Sequence, residues 1–369
     1  MSACDACLRR AVLVAMLAGR ITGLLDRPTT RVAGLLALPE ADLVAAVAGP
    51  RAEAVIEALD ARDLERDRRA AQEGGGLAVC RHSADYPPLL EDLADAPAVL
   101  FMVGQRSALA RLREEPAAAI VGTRNPSPYG REVGYSLGRG LAAAGVPVVS
   151  GLALGIDATA HRGCIAGAGM PVAVLAGGPD VVYPRRHRGL HQEVRERGLV
   201  LSELPPGTRP FRWSFPARNR IMAGLARITV VVEAADPSGS LITSDFARDL
   251  GRSVAAVPGQ VTSRIARGTN GLLRDGAIPV TGPADVLDEL FGAGVRAVPP
   301  TPQAAPPEPD DPLLRRVLRA AERHELVAAV AADARTSVAA ARAALGRLES
   351  DGYLVRRDLG GWQRALGPR

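Results

Sequence analysis

"AAAIVGTRNPSPYG", residues 117–130, decides the fold. Small and apolar residues run unbroken to Val121, a polar turn of Gly122, Thr123 and Arg124 follows, and a helical pattern starts near residue 128. A strand without alternation is expected where helices cover both faces of a sheet. The same succession recurs in "VPVVSG" (146–151), "PVAVLAGG" (171–178), "GLVLSE" (198–203), "ITVVVEA" (228–234) and "SVAAVPG" (253–259). Helical patterns over 128–144, 156–168 and 240–250 supply the crossovers. The expected fold is α/β, a doubly wound and mostly parallel sheet, with ligands at the carboxyl ends of its strands.

The chain differs on either side of this region. Residues 8–72 read as short helices, with Glu40 and Asp42 after Pro39 marking a good helix start. Gly74–Gly75–Gly76 punctuates their end, so a small helical domain is expected over 1–76 and the α/β domain over 77–292. "AGVRAVPPTPQAAPPEPDDP" (293–312) is a Pro-rich, semi-stiff linker. Residues 313–369 hold three helical patterns and "GYLVRRDLGGWQRA", with a hairpin turn at 357–361 between strands 353–356 and 362–365. Three helices followed by a hairpin is the winged-helix plan. This tail carries 11 arginines against 6 acidic residues.

A length of 369 residues suggests two or three domains, and 47% hydrophobic with 23% charged residues is a soluble globular profile. No apolar run reaches the roughly 18 residues that a membrane span needs. The first twenty residues read as an amphipathic helix without a signal-cleavage pattern, so the cytoplasm is the expected compartment. The net charge is +5, and all 45 basic residues are arginine, so every cationic contact is a planar guanidinium suited to phosphate.

Catalytic and metal signatures are sparse. Cys4, Cys7, Cys80 and Cys164 form no disulfide framework. Cys4-x-x-Cys7 is half a zinc pattern, but no second CxxC or CxxH pair follows, so no metal is expected. His187 and His191 stand four apart without an acidic base between them and are expected on the solvated surface. No phosphate-binding G-x-x-x-x-G-K-[ST], no dinucleotide G-x-G-x-x-G and no G-x-S-x-G elbow occurs. Asp157 and Glu233 are isolated carboxylates, expected to hold turns. No catalytic residue and no cofactor is expected.

Three turns instead suggest anion binding. Gly122, Thr123 and Arg124 follow one strand, Gly151 and Gly155 flank the next turn, and Ser238, Gly239 and Ser240 open a helix. Backbone amides at helix starts, with the helix dipole, attract phosphate. "RPFRWSFPARNR" (209–220) adds Phe211, Trp213 and Phe215 at every second position amid four arginines, in a chain with only 3% aromatics. In an extended segment these rings share one side, where bases stack while arginines meet phosphate. At least one ring is expected in the core.

The blocks "YPPLLEDLADAPAVLFMVG" (86–104), "AIVGTRNPSPYG" (119–130), "SGLALGIDATAH" (150–161), "GGPDVVYPRRHRGL" (177–190), "FPARNRIMAGL" (215–225) and "VVEAADPSGSLIT" (231–243) stand in the order found in the DprA/Smf family. "VPGQ" (257–260) and "GTNGLLRDGA" (268–277) continue the likeness, and the middle of the chain resembles that family throughout. The resemblance implies an extended Rossmann-like domain that binds single-stranded DNA, forms a homodimer and loads the recombinase RecA onto incoming DNA in natural transformation, alongside single-strand-binding protein. It implies Arg124 as a principal phosphate contact, Gly151 and Gly155 shaping a groove, and Arg218, Asn219, Arg220, Ser238, Gly239, Ser240 and Asn270 lining it. Phe215 is the stacking residue, and Asp157 and His161 are structural. Members with groove lysines have no counterpart here, leaving arginines such as Arg212 and Arg248 as substitutes. The ends of the chain resemble the family's sterile-alpha-motif-like and winged-helix domains more loosely.

Two other readings stand beside this one. Related sheets include phosphoribohydrolases that process nucleotides, whose P-G-G-x-G-T signature is missing here. The tail could also read duplex DNA through a recognition helix over 337–349, with Arg356 and Arg357 on the wing.

Overall fold

The structure, a computed structural model, describes residues 3–24, 32–298, 308–356 and 361–364. The chain separates into two compact units, Met1–Pro299 and Pro300–Arg369.

The first unit opens with helices α1 (Asp5–Leu24), α2 (Val32–Leu36), α3 (Glu40–Ala48), α4 (Ala52–Asp60) and α5 (Leu64–Gln72). The α3 start follows Pro39 as its acidic first turn predicts, and the Asp63 carboxylate caps α5 by accepting from the Arg66 amide. Leu13, Leu17, Ile21, Leu43 and Leu59 form the core of this layer, and Leu204, Trp213 and Ala217 from the α/β part complete it. The Trp213 indole N–H donates to the Ala18 carbonyl at 2.9 Å. The helical layer therefore shares its core with the sheet domain. Some 70 residues alone bury too little surface for comfortable stability, and the borrowed side chains help to make up the deficit.

The sheet comprises β1 (Leu77–Cys80), β2 (Val99–Gly104), β3 (Ala118–Val121), β4 (Val148–Ser150), β5 (Pro171–Val174), β6 (Leu199–Ser202), β7 (Ile228–Val231), β8 (Ser253–Ala256) and β9 (Ile278–Pro279). Their spatial order is β1-β2-β6-β5-β4-β3-β7-β8-β9. From β6 to β9 every pairing is parallel, whereas β1–β2 and β2–β6 are antiparallel. Crossovers and flanks are α6 (Arg106–Glu114), α7 (Pro128–Ala143), α8 (Ile156–Ala166), α9 (Arg188–Arg197), α10 (Ser214–Leu225), α11 (Leu241–Asp249), α12 (Arg267–Arg274) and α13 (Pro283–Phe291).

The continuous apolar strands have the expected cause. Ala119, Val121 and Val231 face one core, and Ala118, Ile120, Ile228 and Val230 face the other. Strands β3 to β6 wind outward in one direction and β7 to β9 in the opposite one, so the order reverses between β3 and β7. That reversal opens a crevice at the carboxyl ends of the strands, the usual ligand position in such sheets.

The second unit contains α14 (Pro312–Ala321), α15 (Val327–Asp333), α16 (Val338–Ser350) and the antiparallel pair β10 (Leu354–Arg356) and β11 (Trp362–Arg364). Asp311 caps α14 and Ser337 caps α16 through side-chain oxygens. Val317, Leu318, Leu345, Leu348 and Trp362 form its core. Residues 357–360 of the expected hairpin turn, Arg357 among them, and residues 299–307 of the Pro-rich linker lie outside the described residues. Among the described residues no helix is long and apolar enough to cross a membrane.

Candidate functional site

The crevice is built from four chain segments. Gly122 ends β3 at a close approach, since a Cβ there would lie 2.7 Å from Ile156 and 2.9 Å from the Glu233 carbonyl. The Thr123 amide donates to that carbonyl at 2.7 Å, and the Thr123 carbonyl accepts from the Ile156 amide at 3.2 Å. Thus pinned, the turn presents Arg124 outward. Its guanidinium is exposed and lies 5.3 Å from the Phe215 ring centre. Among the described residues no carboxylate lies within ion-pair distance of it.

Gly155 makes the approach from the β4 side. Its φ is +79°, and a Cβ would lie 2.3 Å from the Thr123 carbonyl oxygen, so both conformation and space require glycine. Gly151 is constrained in space alone, by the Arg218 side chain. That guanidinium is buried and donates through Nη1 to the carbonyls of Gly151 and Val174 and through Nε to Asn219. Its Nη2 stands 3.6 Å from the Asp157 carboxylate, which also accepts from the amides of Gly151 and Ala153. Burial pushes the Asp157 carboxyl above its ordinary value while Arg218 opposes the shift. Burial likewise lowers Arg218, which stays charged because guanidinium is so strongly basic.

The Asn219 amide donates to the Gly239 carbonyl at 3.2 Å, tying α10 to the turn that opens α11. There the hydroxyls of Ser238 and Ser240 lie 2.8 Å apart. A cleft of about 460 Å³ is lined by Gly122, Thr123, Arg124, Phe215, Arg218, Asn219, Ser238, Gly239 and Ser240. A recess of about 70 Å³ shares Arg124, Phe215 and Arg218 with it and adds Gly151 and Tyr183. The Tyr183 ring is exposed and its centre lies 5.5 Å from that of Phe215. The sequence reading did not assign Tyr183, although it stands inside one of the quoted blocks.

Other expected residues lie elsewhere. Arg220 is only 1% exposed and pairs with Asp95 and Glu203, each at 2.7 Å, so it lines no part of the cleft. The Asn270 amide group is spent on both backbone atoms of Gly259. Arg248 occupies the last turn of α11, 4.0 Å from Asp245, and Arg212 is exposed in the turn before α10; neither lines the cleft or the recess. The extended, alternating reading of 209–220 fails because α10 begins at Ser214, whose hydroxyl caps back onto Phe211. The helix turns Phe215 to the cleft and leaves Trp213 in the core.

Two histidines also differ from expectation. His187 and His191 are buried rather than solvated, donating to the carbonyls of Leu152 and Pro179 at 3.0 and 2.9 Å. His161 is fully buried, and neither ring nitrogen has a hydrogen-bond partner. Burial, helped by Arg218 and His187, lowers its pKa to about 3. Glu233 holds a turn as expected, accepting from the amide and hydroxyl of Ser127 at the start of α7. Finally, Cys80 and His82 come beside Cys4 and Cys7 at the β1 edge of the sheet, completing a group that spacing alone had left half made.

The strand order, with a cleft at its reversal, defines a Rossmann-like protein. The chain belongs to the family described as DNA recombination-mediator protein A, whose sequence profile matches residues 78–291. It is 48% identical over 195 residues to a DprA-type DNA processing protein of Mycobacterium tuberculosis, covering 52% of this chain and 49% of the relative. It is 39% identical over 227 residues to DNA processing protein DprA of Bacillus subtilis, covering 62% and 75%. The chain thus spans about half the length of the mycobacterial relative. The solved DprA of Streptococcus pneumoniae superposes with a TM-score of 0.63 at 31% identity, over 79% of this chain and 99% of that one. DNA processing protein A of Helicobacter pylori, solved for its single-stranded DNA binding mode, gives 0.52 at 28%, over 58% and 95%.

Proposed function

We propose that the cleft grips the sugar–phosphate backbone of single-stranded DNA and that the protein is a non-catalytic recombination mediator. On this reading it works as a homodimer in the cytoplasm and loads RecA onto DNA otherwise covered by single-strand-binding protein. The observation that carries the proposal is Arg124, an exposed guanidinium at the mouth of a cleft walled by a helix start and an aromatic face. Guanidinium pairs bidentately with phosphate, and Phe215 with Tyr183 offers π-faces to unpaired bases. The single-stranded DNA binding described for the Helicobacter pylori relative supports the same ligand. Arg218, Gly151, Gly155 and Asp157 act as the frame that shapes the groove, and Ser238–Ser240 line its far wall.

Anisotropy titration of a labelled oligothymidine at two ionic strengths tests this reading. Affinity should fall with salt by roughly 0.7 log unit per log unit for each phosphate neutralised. Arg124→Ala should weaken binding to all sequences alike and flatten that slope. Equal affinity for duplex, or an unchanged Arg124→Ala variant, contradicts the proposal.

A further inference from the structure

We propose that Cys4, Cys7, Cys80 and His82 form a structural zinc site joining the start of α1 to the end of β1. One ligand atom from each of the four lies within 4.8 Å of all the others. The His82 Nδ1 stands 3.4 Å from both the Cys4 and the Cys7 sulfur. Tetrahedral zinc with ordinary Zn–S and Zn–N bonds separates sulfur from nitrogen by about 3.6 Å. The three thiols are free rather than paired. Cys7 and Cys80 are buried among Leu8, Ala11, Val99 and Phe101, while Cys4 and His82 reach solvent and give the ion its way in.

The donor set selects the metal and the role. Three thiolates with one imidazole in tetrahedral array suit zinc, and four protein ligands leave no open position for chemistry. Loading releases three thiol protons, and Zn²⁺ with three thiolates carries one net negative charge. A cation awaits that charge. Arg10, one turn beyond Cys7, lines the same cavity of about 340 Å³ as Cys7 and His82, and its buried Nη1 has no hydrogen-bond partner. The site clamps the first turn of α1, the helix whose Ala18 carbonyl accepts from Trp213 just before α10.

The test is metal analysis of the full-length protein purified in the presence of reductant. We expect about one zinc per chain and, after exchange with cobalt, the intense visible bands of a tetrahedral thiolate complex. His82→Ala and Cys4→Ser, both at the surface, should fold and lose zinc affinity by more than about tenfold; Cys80→Ser should bind none. The inference is overturned by a reduced wild type with four titratable thiols, under a tenth of an equivalent of zinc and no cobalt spectrum. It is equally overturned by a disulfide among the three cysteines in the cytosol-expressed protein, or by zinc retained unchanged in the His82→Ala and Cys4→Ser variants.

Discussion

The Arg218 Nη1 donates to the Gly151 carbonyl at 2.6 Å, and a Cβ on residue 151 would stand only 1.7 Å from that same nitrogen. Glycine at 151 and arginine at 218 are therefore one structural choice. Gly151→Ala should expel the guanidinium and leave Asp157 buried without its partner. Breaking such a pair costs about 3–5 kcal/mol. Urea denaturation should show that loss, and oligonucleotide affinity should fall with it; a variant as stable as wild type would dissociate the two residues.

Arg124 and Arg220 should behave oppositely. Arg124→Ala removes an exposed group and should leave stability within about 0.5 kcal/mol while weakening DNA binding. Arg220→Ala strands Asp95 and Glu203 in the interior and should destabilise by about 3–5 kcal/mol. Thermal unfolding and anisotropy on both variants separate the roles.

Phe215→Ala should cost about 1–3 kcal/mol of binding if a base stacks there. The salt slope should stay as in wild type, because no charge is removed. A flattened slope with intact affinity would assign the ring to positioning Arg124 instead.

Acid should weaken the fold through His161. Its folded-state pKa of about 3 lies below the ordinary 6.5, so the unfolded chain binds the extra proton first. Stability from this group is complete above about pH 6.5 and drains away as pH falls toward 3. His161→Leu should show a shallower decline in urea midpoint between pH 7.5 and 5. An identical pH profile would show that His161 does not carry the dependence.

Six strands of the large sheet were legible because two-sided burial writes each as an apolar run ending in a turn. β1 and β2 pair antiparallel without a crossover helix, and β9 has two residues, so neither the alternation of strand and helix nor run length announced them. Most of the cleft was legible for the related reason that its turns follow strands. Arg218 and Arg220 were not separable: they sit two residues apart on α10, about 200° around it. Asp95, which claims Arg220, lies 125 positions away in the chain. The cysteine group was hidden likewise, by 75 residues between Cys7 and His82 and by a Cys-x-His spacing outside the usual patterns.

The far border of the sheet has a consequence for assembly. β9 is two residues long and ends in Pro279, which has no amide hydrogen to donate. A neighbouring molecule cannot extend the hydrogen-bonded ladder there, so self-association of this chain by strand addition is blocked on that flank. On that flank homotypic contact has to come from side-chain complementarity, which leaves its strength open to tuning by single surface substitutions.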